Sequence, residues 1–316
     1  MKKDHILVTG GCGYVGSCLV PLLLNEGYIV TVVDIMWFGN YLESHSNLTI
    51  IKEDIRNIDK IDFKDFDKII HLASVANDPC AELDPKLSWE VNVLATMQIA
   101  EKALRNGIKQ IIYASSGSVY GIKEESQVTE DLSLKPISEY NKTKMVAERV
   151  LLSYKDKIIV QCIRPATICG MSSRMRLDVS VNMLTMQALL SKKITVFGGD
   201  QVRPNIHMDD IIDVYVHFLK LGEKAVGIFN AGFENISILD ISKRISENIP
   251  SEIIITESND PRSYRLNSDK LLATGFKPEK TVDDAIAEII DAYNMERLID
   301  SKKCYNVKWM QEVVVS

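Results

Sequence analysis

The sequence has no uninterrupted apolar run near the ~20 residues needed to cross a bilayer. Its first residues, Met1-Lys2-Lys3-Asp4-His5, lead straight into a strand-like stretch without the apolar core and cleavage site of a secretory signal. A cytoplasmic protein without a membrane span is expected. There is no paired short spacing among Cys12, Cys18, Cys80, Cys162, Cys169 and Cys304, which argues against a disulfide framework and a structural zinc site. Reduced core thiols and no metal are expected. There is no basic tail, and the formal net charge is -6, so nothing draws the chain to a phosphate backbone. Nucleic acid is not an expected partner. Finally, there is no Pro/Gly/Ser-rich linker, internal repeat or low-complexity segment to divide the 316 residues.

What is present is an ordinary globular composition, 46% hydrophobic and 25% charged, in a strongly ordered pattern. Short apolar runs at 5–9, 29–34, 48–51, 68–72, 110–115 and 158–163 alternate with stretches of helical period near 15–26, 85–106 and 139–154. That alternation is the form taken by repeated strand-helix-strand units around a buried parallel sheet, so residues 1–170 predict a doubly wound α/β domain. Beyond it the rhythm loosens: helical patterns at 183–191, 209–221, 238–248 and 282–299, with 195–197 and 253–256 as isolated short strands. Residues 171–316 therefore predict a smaller mixed α/β lobe packed on the sheet domain, some of its segments returning to that domain. Residues 302–316 carry no evident pattern.

Gly10-Gly11-Cys12-Gly13-Tyr14-Val15-Gly16 follows the first strand and opens the first helix. Gly10, Gly13 and Gly16 suit a tight turn, a close approach of backbone to a pyrophosphate, and helix-on-strand packing, with the helix N-terminus facing the anion. The second strand ends in Asp34, 18 residues after Gly16. An acidic side chain there accepts hydrogen bonds from a ribose diol and repels a 2′-phosphate, which favours NAD over NADP. Asp54 and Ile55, after the third strand, are placed to contact the adenine.

Tyr140 and Lys144 are four apart, one above the other on a helix. An ammonium beside a phenol lowers its pKa and suits it to take a proton from a sugar hydroxyl. About one such pair is expected by chance from 11 Tyr and 26 Lys in 316 residues, so the surroundings must carry the assignment. They include a hydroxyl-rich turn, Ser115-Ser116-Gly117-Ser118-Val119-Tyr120-Gly121, at the carboxyl end of the preceding strand, where ligands of open parallel sheets collect.

These motifs, with His71-Leu72-Ala73-Ser74, Asn92-Val93 and Arg164-Pro165-Ala166-Thr167, resemble the extended short-chain dehydrogenase/reductase superfamily in its NAD-dependent nucleotide-sugar epimerase/dehydratase branch. The resemblance spans about residues 7–210 and loosens toward 293. It implies a Rossmann-type sheet, NAD as cofactor, a nucleotide-diphosphate sugar as substrate, a place in polysaccharide biosynthesis, and a homodimer through the helices near 85–106 and 139–154. It implies Ser116, Tyr140 and Lys144 as the catalytic triad, with Ser118 assisting. Gly10, Gly13, Tyr14, Val15, Gly16, Asp34, Asp54, Ile55, Leu72, Ala73, Ser74, Asn92, Ser115, Pro165 and Thr167, with the catalytic pair, would surround the cofactor. Asn92 would sit behind that pair. Asp78, Ser116, Ser118, Tyr140, Asn182, Phe197, Arg203 and Arg262 would meet the substrate, Arg203 as the diphosphate ligand.

The departures narrow the reaction. Sugar 4,6-dehydratases of the branch carry an Asp-Glu pair where this chain has Gly117 and Ser118, and the reductase-epimerases that make fucose-type sugars use a Cys that this turn lacks. Chemistry at carbon 4 alone remains: a 4-epimerase, or a 4-dehydrogenase or ketoreductase. The stretch Arg174-Met175-Arg176-Leu177-Asp178 is unlike the familiar galactose epimerase pattern and resembles a subgroup that includes dehydrogenases of nucleotide heptoses. A regulatory NAD-binding protein without turnover is disfavoured by the presence of both Tyr140 and Lys144.

Overall fold

The computed structural model describes residues 3–257 and 263–314. Its first part carries strands β1 (His5–Thr9), β2 (Ile29–Asp34), β3 (Leu48–Lys52), β4 (Lys68–His71), β5 (Gln110–Ala114) and β6 (Ile159–Pro165). Between them run helices α1 (Gly16–Asn25), α2 (Asp78–Leu83), α3 (Pro85–Trp89), α4 (Ala95–Arg105) and α5 (Glu139–Leu152). The later part adds β7 (Thr167–Cys169), α6 (Ser180–Ser191), β8 (Lys193–Phe197), β9 (Val202–His207), α7 (Met208–Leu221), β10 (Gly227–Ala231) and β11 (Glu234–Ser237). It ends with α8 (Ile238–Asn248), β12 (Glu252–Thr256), α9 (Asp269–Leu272), α10 (Val282–Asn294) and α11 (Asn306–Val313). Among the described residues no helix is long and apolar enough to cross a membrane.

Seven parallel strands form the main sheet in the order β10-β6-β5-β4-β1-β2-β3. The apolar runs are continuous because both faces are covered. Ile6 and Val8 of β1, with Val30 and Val32 of β2, pack into one layer with α1 and α7; Leu7 and Val33 face the other layer, with α4 and α5. From β3 the chain returns past β1 to begin β4 on its far side, so the strand order reverses there. That reversal opens a crevice beyond the carboxyl ends of β1 and β4, where ligands bind in such sheets.

The stretch 85–106 departs from the single helix expected. It is α3, then a π-helical segment at Glu90–Leu94, then α4. The widening coincides with Asn92, whose carbonyl accepts from Thr96 Oγ1 at 2.7 Å and whose side chain turns inward to the crevice wall. Such widenings concentrate at functional sites.

The smaller lobe holds a three-stranded sheet in the order β11-β9-β7 and a packed cluster from α6, α8 and α10. The strands expected to be isolated at 195–197 and 253–256 pair in parallel with each other as β8 and β12, from Lys193↔Glu252 to Phe197↔Thr256. β10 and α7 lie with the main sheet: β10 extends it beside β6, and α7 packs on α1 and β5. Residues 302–316, patternless in the sequence, contribute a 3-10 turn and α11, which packs against α2.

Candidate active site

The crevice opens into a cleft of about 900 Å³. Its floor is the glycine loop. Gly10 has φ +73°, and a Cβ there would lie 2.6 Å from the backbone N of Ala73; one on Gly16 would lie 2.5 Å from Gly11 Cα. Only glycine permits both the turn and the contact. Asp34, at the end of β2, accepts from the backbone N–H of Cys12 at 2.9 Å and of Met36 at 2.7 Å, which aims its carboxylate across the loop. Burial raises the Asp34 pKa, and those two N–H donors pull it back. Gly13, Tyr14, Val15, Asp54, Ile55, Leu72, Ala73, Ser74, Ser115, Pro165 and Thr167 also line the cleft.

Across from the loop stands the hydroxyl turn after β5. Ser116 and Ser118 hydroxyls are 2.7 Å apart, Ser116 Oγ accepts from the Ser118 N–H, and Ser118 donates to Asn141 Oδ1 at 2.5 Å. α5 begins beside this turn because Ser138 caps it, accepting from the Asn141 N–H at 3.1 Å and donating to Asp78 Oδ1 at 2.7 Å. Two residues past that cap, Tyr140 lines the cleft together with Ser116. Burial pushes the phenol up to about 12, while Ser116 and Arg176 pull against it. Lys144 is 2% exposed and donates to Ala114 O at 2.8 Å, its ammonium 5.9 Å from the Tyr140 ring. Burial brings it down to about 7, opposed by Glu148 one turn further along. Such displaced proton affinities mark places where protons are exchanged.

Two buried assemblies hold these groups. Asn92 accepts from the Val75 N–H at 2.8 Å and donates to Val75 O and Thr143 Oγ1, tying the wall after β4 to α5. Glu148, fully buried, takes a bidentate hydrogen bond from Arg164 at 2.8 and 2.6 Å and accepts from Ser115 Oγ. Arg164 reaches on to Tyr120 OH at 2.7 Å, whose hydroxyl donates to Asn230 Oδ1. A chain of satisfied polar groups thus runs from the catalytic turn to β10.

A profile of the NAD dependent epimerase/dehydratase family matches residues 6–232. The chain belongs to that family. It is 29% identical to a UDP-glucose 4-epimerase of Lactobacillus helveticus across 89% of this chain and 94% of that protein. With a UDP-glucose 4-epimerase of Mycolicibacterium smegmatis it shares 32% identity across 66% of this chain and 71% of the relative. Among solved structures it is similar to UDP-glucuronic acid 4-epimerase from Bacillus cereus in complex with UDP-glucuronic acid and NAD. There the TM-score is 0.81 and the identity 27%, over 92% of this chain and 99% of the other.

The cofactor of the family is NAD, and the residues present fit it. The cradle at Gly10, Gly13 and Gly16 has room for backbone contact with a diphosphate at the N-terminus of α1. Asp34 keeps acceptor capacity beyond its two backbone donors for a ribose diol.

Several residues expected to meet cofactor or substrate lie elsewhere than expected. Asn182 is fully buried off the cleft: it accepts from the Gly170 N–H and donates to Tyr14 OH at 3.0 Å and Arg176 O at 2.8 Å, so its carboxamide is consumed as an internal brace. Phe197, at the end of β8, is 58% exposed and is not among the residues that line the cleft. Asn92 does not line the cleft; its polar atoms bond Val75, Ser74 and Thr143, the last on α5 between Tyr140 and Lys144, which keeps it behind the catalytic pair. Arg262 lies outside the described residues. Arg203 and Asp78 line the cleft with Ser116 and Ser118.

The sequence left unassigned several residues that share this cleft: Trp37 and Phe38 after β2, Arg174 and Arg176 after β7, and residues 305–308 and 310 near the C-terminus. Arg174 and Arg176 stood in a stretch singled out for its composition, yet nothing local assigned them a ligand.

Proposed function

We propose that this chain is a nucleotide-sugar 4-epimerase, with Tyr140 as the acid/base at the sugar's carbon 4. The observation that carries the proposal is that Ser116, Tyr140 and Lys144 line one cleft, beside a turn offering neither a carboxylic acid nor a thiol. When bound, NAD supplies the acceptor and donor of the two electrons exchanged at carbon 4. Tyr140 takes the hydroxyl proton as the carbon is oxidised and returns one as the carbon is reduced from the other face. Ser116 holds the reacting oxygen and shares its proton, while Lys144 steadies the developing phenolate. Elimination across carbons 5 and 6 would need an acid at 117 or 118, and Gly117 and Ser118 supply none. A nucleoside diphosphate sugar is supported by the relatives' names and by Arg203 on the cleft wall, whose forked donors suit a diphosphate. We also propose a homodimer through the helical stretch 85–106 and α5, in keeping with the exposed Trp89 and Leu94 in the first of these.

The test is a panel of UDP-, GDP- and dTDP-sugars with the purified protein, read by sugar chromatography and by absorbance of reduced cofactor. Epimerisation yields a new sugar without net reduced cofactor. Stoichiometric accumulation of reduced cofactor would replace the epimerase with a 4-dehydrogenase, and tight NAD binding with no turnover would mark a regulatory protein.

A further inference from the structure

We infer that Arg174 forms an anion site on the cleft wall and takes the diphosphate of the dinucleotide there. Arg164 and Arg174 are buried, Arg174 at 4% exposure, and Arg176 is partly buried. Arg164 pairs with Glu148 and Arg176 with Asp178. Arg174 has no carboxylate partner among the described residues. Among the described residues its one side-chain hydrogen bond runs from a terminal nitrogen to the neutral Asn306 Oδ1 at 2.6 Å, and its Nε is buried without a partner. A buried guanidinium left like this is costly unless an anion completes it. Burial, then Arg176, brings its pKa down to about 10, so the group remains a cation at neutral pH.

Its position names the anion. The Arg174 guanidinium lies 3.7 Å from the Phe38 ring centroid, which fixes the plane of its donors. Its backbone N–H donates to Ser17 Oγ at 3.3 Å, and Ser17, in the first turn of α1, is bonded through its own N–H to Gly13 O at 2.9 Å. The same guanidinium acts on Asp34, drawing its pKa down. Arg174 therefore lines the cleft with its backbone on the first turn of α1 and its guanidinium within electrostatic reach of Asp34 at the end of β2. A dinucleotide with its ribose on Asp34 and its diphosphate on α1 passes through that space, within reach of a planar fork suited to phosphate oxygens.

The C-terminal segment sets the fork in place. Asn306, which accepts from Arg174, is anchored by its own N–H to Asp178 Oδ2 at 2.9 Å, and Trp309 Nε1 donates to Trp37 O at 2.6 Å. The inference depends on the cofactor being a dinucleotide and not on which sugar is turned over.

Calorimetric titration of the nucleotide-free full chain with ADP, adenosine, NAD, NADP and UDP tests it, with Arg174→Met beside the wild type. ADP and NAD should bind about 10- to 100-fold more weakly while adenosine stays within about twofold, because a charge-assisted phosphate contact is lost and the base and ribose contacts are not. Arg174→Lys, which keeps the charge without the fork, should fall between, and it carries the test if thermal melting shows the Met variant unfolded. Equal losses for ADP and adenosine would reduce Arg174 to a structural wall. A loss for UDP with ADP unchanged would assign the site to the sugar nucleotide, and a loss confined to NADP would assign it to a 2′-phosphate; each overturns the inference.

Discussion

At the scale of residues, Tyr140 and Lys144 are both held away from their charged forms by burial, the phenol up at about 12 and the ammonium down at about 7. The phenol can therefore give and take a proton only with help from its neighbours, and Ser116 is the hydroxyl that draws its pKa back down. Tyr140→Phe removes the proton carrier and leaves the ring. Turnover is predicted to fall about 10³-fold, with NAD binding unchanged by titration; a variant keeping a tenth of the rate would refute the acid/base role. Asp34 is the corresponding single residue for cofactor choice. Asp34→Ala deletes the acceptor of the ribose diol and the charge that repels a 2′-phosphate. The ratio of NADP to NAD affinity should rise at least about tenfold, or ~1.4 kcal/mol, and an unmoved ratio would contradict the assignment.

At the scale of elements, the site depends on neighbouring segments fixed by polar groups in the core. His71 ends β4 fully buried, its Nδ1 2.6 Å from Thr9 Oγ1 on β1 and its Nε2 2.8 Å from Thr96 Oγ1 on α4. Thr96 Oγ1 donates to Asn92 O, so it accepts from Nε2–H, and the ring is neutral with Nδ1 as acceptor. Burial, with a smaller push from Lys144, lowers its pKa from 6.5 to about 3. The unfolded chain therefore binds the proton first: the His71 contribution is whole above pH 6.5 and is lost as pH falls toward 3. Between pH 6.5 and 5 that amounts to about 2 kcal/mol. Urea denaturation at both pH values should show the wild type losing that much more stability than His71→Leu, and parallel losses would show that His71 is not buried as the neutral form.

At the scale of the whole molecule, the cleft is finished by chain far from its motifs. Residues 301–314 bring Met310, 2% exposed, and the Asn306 and Trp309 hydrogen bonds onto the loop after β2 and the stretch after β7. Deleting 301–316 is predicted to cost about 2–4 kcal/mol from lost apolar burial. It should lower the melting temperature by several degrees and weaken NAD binding at least tenfold. Unchanged NAD affinity in a folded truncated chain would show that the segment only decorates the cleft. The proposed homodimer is checked by sedimentation, where a species near 35.5 kDa at micromolar concentration would rule it out.

The alternating runs, the spacing of Gly10, Gly13 and Gly16, Asp34 at a strand end, and Tyr140 four before Lys144 were legible because each is a local signal, set by the period of one element or the geometry of one turn. Family, cofactor and sheet type followed from them. Tertiary structure alone decided that Asn182 would brace Gly170, Tyr14 and Arg176, that Phe197 would be exposed, and that 195–197 and 253–256 would find each other. It also decided that Arg174 would meet Asn306 across 132 residues and Trp309 would reach Trp37 across 272. Those contacts depend on where distant elements come to rest. No periodicity records that, because the free energy of packing is shared among surfaces that the chain brings together only when folded.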